Sequence, residues 1–220
     1  MKVIFISDSR LCGVERINLG SNRNIVRRIN YHCVPGLKLG DVKRYVRSES
    51  FEKLCKQNRV LVFLSVGIND IPEDIYGRTG EDLNILYKRI VKKFNQIETA
   101  VKTVAFNAKV VIATIPPKEI ERTIRKYPHK SEKLGTITFN HQQSFENFVS
   151  RINEDFINDF NKKETQVHIP LHRALRQHRG RRGSVYSYNK LCDGLHPDRN
   201  SKKTLDGNDS LKTGAVYMKH

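Results

Sequence analysis

Two periodicities alternate along this chain. Short apolar runs rich in Val and Ile recur at 3–7, 29–34, 60–66, 110–115 and 166–169, and each has the length and composition of a buried strand. The longer segments 41–56, 81–107 and 142–160 instead carry apolar residues at helical spacing. In the second of these, Leu83, Leu86, Ile90, Phe94, Ile97 and Val101 fall on one face. Strands alternating with amphipathic helices predict an α/β domain, a parallel sheet covered by helices on both faces.

Pro116 and Pro117 close the fourth strand run. The charged stretch 118–138, broken by Pro128 and Gly135, is expected to be a loop with at most a short helix. A second polar stretch, 173–189, gathers Arg176, Arg179, Arg181 and Arg182 around Gly180 and Gly183. Ligands of open α/β sheets bind beyond the carboxyl ends of the strands, so both stretches are expected to border one crevice. The 220 residues fit one domain over 1–200, with a polar tail at 201–220 that shows little apolar periodicity.

Charge widens the picture. A net +17, from 40 Lys and Arg against 23 Asp and Glu, is more than solubility needs and points to polyanionic partners such as nucleic acid or anionic lipid heads. A solvated basic surface is the plain alternative. Within that surplus, the run from Arg176 to Gly183 is the best candidate for gripping phosphate bidentately, and a solvated loop is its ordinary reading. No segment approaches the ~20 apolar residues that span a bilayer, and the run 3–6 is too short for a signal-peptide core. A soluble intracellular protein is therefore expected. Cys12, Cys33, Cys55 and Cys192 make no CxxC pair, so reduced thiols are expected. His168 and His172 are four apart, but a strand ending at Pro170 removes helical spacing, and no metal or cofactor is expected.

The chemistry is carried by separated blocks. In Asp193-Gly194-Leu195-His196-Pro197 a carboxylate and an imidazole stand three apart, a spacing that lets the acid hold the ring's tautomer while the other nitrogen acts as a base. The missing nucleophile is supplied at the other end of the chain, where Ser9 follows the first strand run in Ser7-Asp8-Ser9. Taken alone, an Asp-Ser pair after a strand is an ordinary helix cap, and Ser9 means little without His196. Acyl transfer also needs donors for an oxyanion, and two later strand ends offer them. Gly36 can present a bare backbone amide, and Asn69 a side-chain amide. Asp70 and Asp198 read as caps or turn residues.

These four blocks, Ser7-Asp8-Ser9, Gly36, Gly67-Ile68-Asn69-Asp70 and Asp193 to Pro197, resemble in their order the SGNH (GDSL-type) hydrolase family. The resemblance runs from Val3 to Pro197. It implies a three-layer α/β/α fold with a five-stranded parallel sheet of flavodoxin-like topology. It also implies a metal-free serine hydrolase acting on an ester, with Ser9 as nucleophile, His196 as base, Asp193 as its orienting acid, and Ser9, Gly36 and Asn69 as the oxyanion hole. Two positions depart from the pattern. Ser7 replaces the usual glycine, and Arg10 replaces an aliphatic residue, which is expected either to make the pocket floor more polar or to greet an anionic group of the substrate. The rival reading is a basic module of the same fold with impaired catalysis that binds nucleic acid, as in the mobile-element or viral proteins where such domains also occur.

Overall fold

The computed structural model describes residues 2–11, 29–56, 59–75, 77–126, 139–162, 167–169, 171, 176–178 and 184–186. Five strands form one parallel sheet in the order β2-β1-β3-β4-β5: β1 (Lys2–Ser7), β2 (Ile29–Cys33), β3 (Val60–Ser65), β4 (Lys109–Ala113) and β5 (Val167–Ile169). This is the flavodoxin-like order that the family resemblance implies, with strand order reversing at β1. Each strand lies within two residues of its predicted bounds.

Alternation along the strands sorts the core. Ile4 and Ile6 of β1, Val62 and Leu64 of β3, and Val110 and Ile112 of β4 face one side and join a single large apolar cluster. Five helices reach that cluster: α1 (Leu39–Tyr45), α2 (Glu49–Cys55), α3 (Gly80–Val104), α4 (Ile120–Lys126) and α5 (Phe139–Lys162). The opposite side holds a smaller group, Leu11, Ala113 and Leu171, against which Phe5 and Phe63 stack with ring centroids 4.5 Å apart. All five described helices thus serve one face, and the second helical layer of the expected arrangement falls outside the described residues.

The predicted helix 41–56 is two helices. Ser48 divides them, because its Oγ donates to the Tyr45 carbonyl at 2.7 Å and accepts from the Phe51 amide at 3.3 Å, ending one helix and capping the next. The predicted helix 81–107 is α3, opened by a reciprocal cap in which the Thr79 hydroxyl accepts the Asp82 amide and Asp82 accepts the Thr79 amide. Its predicted stripe is buried from Leu86 to Val101, with Leu83 at the margin. In 118–138 the short helix is α4, and 127–138 lies outside the described residues. The stretch 173–189 is a correction. It contains an antiparallel pair, β6 (Arg176–His178) with β7 (Ser184–Tyr186), in which β-favouring Val185 and Tyr186 let the backbone satisfy itself locally.

Two sites in this framework generate predictions. Gly67 has φ +114°, and a Cβ there would stand 2.9 Å from Ile115 Cδ1 and 3.2 Å from Phe94 Cζ. Gly67→Ala is expected to cost about 2–4 kcal/mol in urea unfolding, combining backbone strain with overpacking. A loss below about 1 kcal/mol contradicts the assigned geometry. His32 stacks on Tyr45 with centroids 3.6 Å apart, and burial lowers its pKa from the ordinary 6.5. Protonation therefore favours the unfolded chain, so this contribution is intact above about pH 6.5 and is lost as pH falls through the lowered value. Between pH 8 and pH 5, His32→Phe should lose less Tm than the wild type, and parallel losses would show that His32 is not the titrating group.

Candidate active site

The parallel register ends three strands level with one another. Ser7 pairs with Cys33 on one side and Ser65 on the other. The Val34 amide donates to the Ser7 carbonyl at 3.0 Å, and the Asp8 amide to the Ser65 carbonyl at 3.3 Å, carrying the alignment one residue past the strands. Ser9, Gly36 and Asn69 stand two, three and four residues beyond those ends. Three of the four predicted blocks therefore leave the sheet side by side, at the carboxyl edge where the strand order reverses.

The turn that carries Ser9 is clamped from both sides. The fully buried Asp8 carboxylate accepts the Arg10 amide through Oδ1 at 3.0 Å, which closes a side-chain turn around Ser9. It also takes the Arg10 guanidinium bidentately, Nε to Oδ1 at 3.1 Å and one terminal nitrogen to Oδ2 at 3.0 Å. The other terminal nitrogen donates to the Pro116 carbonyl at 3.0 Å, tying the turn to the loop after β4. Arg10 is 5 % exposed, so the expectation that it greets a substrate anion is corrected: burial beside a carboxylate makes it an anchor of the turn. Ser7, in place of the usual glycine, is fully buried, and its hydroxyl donates to the Asp8 carbonyl at 3.0 Å. Its side chain is absorbed without breaking the bonds at the strand ends. Ser9 itself is half-buried.

Gly36 forms the corner of a β-turn from Val34 to Leu37, closed by the Leu37 amide on the Val34 carbonyl at 3.1 Å. With Pro35 before it and φ +73°, this is the type II arrangement, in which the third position favours glycine. The corner is open, with nothing within 4 Å of where a Cβ would stand. Asn69, in the 3₁₀ turn Ile68–Asp70, donates Nδ2 to the Leu37 carbonyl at 3.2 Å and so joins its own loop to the Gly36 turn. An amide nitrogen carries two protons, so this bond orients Asn69 and leaves its second proton for a ligand. Asp70 caps as expected, but a neighbouring element. Its Oδ2 accepts the Leu39 amide at the start of α1 at 2.7 Å, and Oδ1 accepts Lys93 Nζ at 2.9 Å.

The loop after β4 is held by residues that sequence reasoning missed. Asn153 of α5, 2 % exposed, pairs with both backbone groups of Ile115, accepting its amide at 2.7 Å and donating to its carbonyl at 2.8 Å. Gln142 accepts the Ile120 amide and donates to the Lys118 carbonyl. Lys118 in turn pairs with Glu73 and lies over the Phe145 ring. An Asp-x-Arg spacing around Ser9 was the one local signal for the clamp, whereas Asn153 and Gln142 gave none, because only tertiary contact assigns them.

Asp193, His196, Arg179, Arg181 and Arg182 lie outside the described residues, and Arg176 is placed only as the first residue of β6. Among the described residues, no cluster of His, Cys, Asp or Glu could hold a metal ion, and no helix is long and apolar enough to cross a membrane.

Removing one partner of a buried ion pair leaves the other charge uncompensated, at a cost of about 3–5 kcal/mol. Arg10→Met is expected to lose that much stability in urea unfolding, and Asp8→Asn combined with Arg10→Met should lose less than the two single changes summed. Additive losses, or a single-variant loss under about 1 kcal/mol, would contradict the clamp.

No protein-family model matches the chain, and no curated protein matches it. Solved structures do. A lipase from a goat rumen metagenome superposes with TM-score 0.60 at 11 % identity over 98 % of this chain and 97 % of that one. A carbohydrate esterase family 3 protein from Talaromyces cellulolyticus gives 0.59 at 13 % over 99 % and 98 %. A GDSL-like lipase from Bacteroides thetaiotaomicron gives 0.57 at 13 % over 99 % and 88 %. At such low identity the likeness is one of fold: the chain has the α/β fold of these GDSL-like lipases and esterases, the fold of the SGNH hydrolases.

Proposed function

We propose that this protein is a serine esterase of the SGNH type. The observation that carries the reading is the convergence of Ser9, the Gly36 turn and Asn69 at the level carboxyl ends of β1, β2 and β3, with Asn69 bonded into the Gly36 turn. The likeness in fold to lipases and esterases supports it.

In this reading Ser9 Oγ attacks the acyl carbonyl carbon as His196 takes its proton, and Asp193 steadies the resulting imidazolium. Negative charge gathers on the carbonyl oxygen, where the Ser9 and Gly36 amides and the Asn69 side chain donate to it. Collapse of the tetrahedral intermediate breaks the ester C–O bond, and the leaving alkoxide carries off the proton from His196. Water then attacks the acyl-serine, gives its proton to His196, and releases the acid as that proton returns to Ser9. The Asp8–Arg10 clamp supplies the rigidity this chemistry needs, because it fixes the backbone on both sides of the nucleophile. Ser7 is compatible with the mechanism, since its hydroxyl is turned onto the Asp8 carbonyl.

The test is hydrolysis of p-nitrophenyl acetate between pH 6 and 9. Wild type should turn over, and Ser9→Ala and His196→Ala should each lower kcat/KM by at least about 10³-fold. Undiminished activity of Ser9→Ala would remove the assigned nucleophile. Asn69→Ala should lower kcat by about 10²-fold with little change in KM, the mark of a donor that acts on the transition state.

A further inference from the structure

The large positive charge is unexplained by an ester site, and one feature of the fold concentrates it. Between α1 and α3 runs a groove of about 490 Å³, lined by Lys43 and Arg47 on one wall and by Lys88 and Lys92 on the other, with no Asp or Glu in its lining. Lys43 donates Nζ to Gln96 at 2.8 Å, which holds that ammonium at the groove floor. Arg47, Lys88 and Lys92 are exposed and form no ion pair among the described residues. Tyr87, which also lines the groove, is stacked by Arg151 of α5 at 4.3 Å.

Some cations elsewhere are neutralised along their own helices, as in Lys53 with Glu49, Lys102 with Glu98 and Arg125 with Glu121. The groove instead gathers four cations with no carboxylate in its lining. Lys88 and Lys92 are one turn apart, a like-charge spacing that weakens a helix by a few tenths of a kcal/mol, and Arg47 faces them from the other wall. An anionic chain lying along the groove would relieve that repulsion.

We infer that the α1/α3 groove is a binding site for single-stranded nucleic acid, with Arg47, Lys88 and Lys92 contacting successive phosphates. Lys88 and Lys92 are separated by a rise of about 6 Å, a spacing at which both ammonium groups can meet phosphates of one nucleic-acid strand. Packed helices stand about 8–10 Å apart, so the cleft between them suits one strand better than a duplex. Amide and hydroxyl groups of Asn95, Gln96 and Thr99 lie beside the cations, within reach of bases or sugars, and Tyr87 offers an aromatic edge. A lipid surface fits less well, because Val91 is the one aliphatic residue in the lining and membrane attachment needs an apolar face. The site is separate from the ester chemistry and does not rest on it.

Fluorescence anisotropy with a labelled 20-mer of uridine tests the inference on the full chain. The triple variant Arg47→Glu, Lys88→Glu, Lys92→Glu is compared with Arg59→Glu, Lys109→Glu, Lys126→Glu, which changes net charge equally at exposed positions outside the groove. The groove variant should weaken binding at least about tenfold more than the control, and its slope of log K against log salt should shrink by about 2. Matching Tm values confirm that both variants are folded. Equal losses in the two variants, no wild-type affinity even at 50 mM salt, or wild-type capture by phosphatidylserine vesicles without RNA binding would each overturn the assignment.

Discussion

Everything at the candidate site depends on one constraint, the parallel register that brings β1, β2 and β3 to an end at the same level. A shift of one residue in either pairing would turn the strands' inward faces over, so the large apolar cluster on one side of the sheet enforces the register that the site uses. The energy that fixes the site is thus spread through Ile4, Ile6, Val62, Leu64 and their helical partners, remote from any reacting atom. Geometry at the edge inherits its precision from packing in the middle.

Beyond the strand ends, a second tier of interactions converts alignment into rigidity. Polar side chains hold each loop at the edge: Asp8 and Arg10 hold the Ser9 turn and tie it to Pro116, while Asn69 holds the Gly36 turn, Asp70 the start of α1 and Asn153 the loop after β4. These bonds are buried or part-buried, and where one is buried a lost partner costs more than the bond contributes. The arrangement favours one conformation over many.

The fold was legible because its signals are local and repeated. Five β-branched runs and three amphipathic segments mark the sheet and its helices, and the bounds err where a single side chain competes with a pattern, as Ser48 does in splitting 41–56. The pair β6 and β7 was hidden by its polar composition, since Arg176, Gln177, His178 and Ser184 outweighed two β-favouring residues. At the site, Ser9, Gly36 and Asn69 were legible as blocks at strand ends. The roles of Arg10, Asn153 and Gln142 were not, because burial and partners across the fold decide them. Nor did net charge say where it gathers, which depends on how α1 and α3 pack.

In the proposed function the clamped turn after β1 presents a competent nucleophile, Ser9. Labelling the intact protein with a fluorophosphonate and mapping the adduct by peptide mass tests it with no assumption about the substrate. A single stoichiometric adduct on Ser9, lost on prior unfolding, is expected. An unlabelled protein, or an adduct on any other residue with Ser9 unmodified, would contradict it.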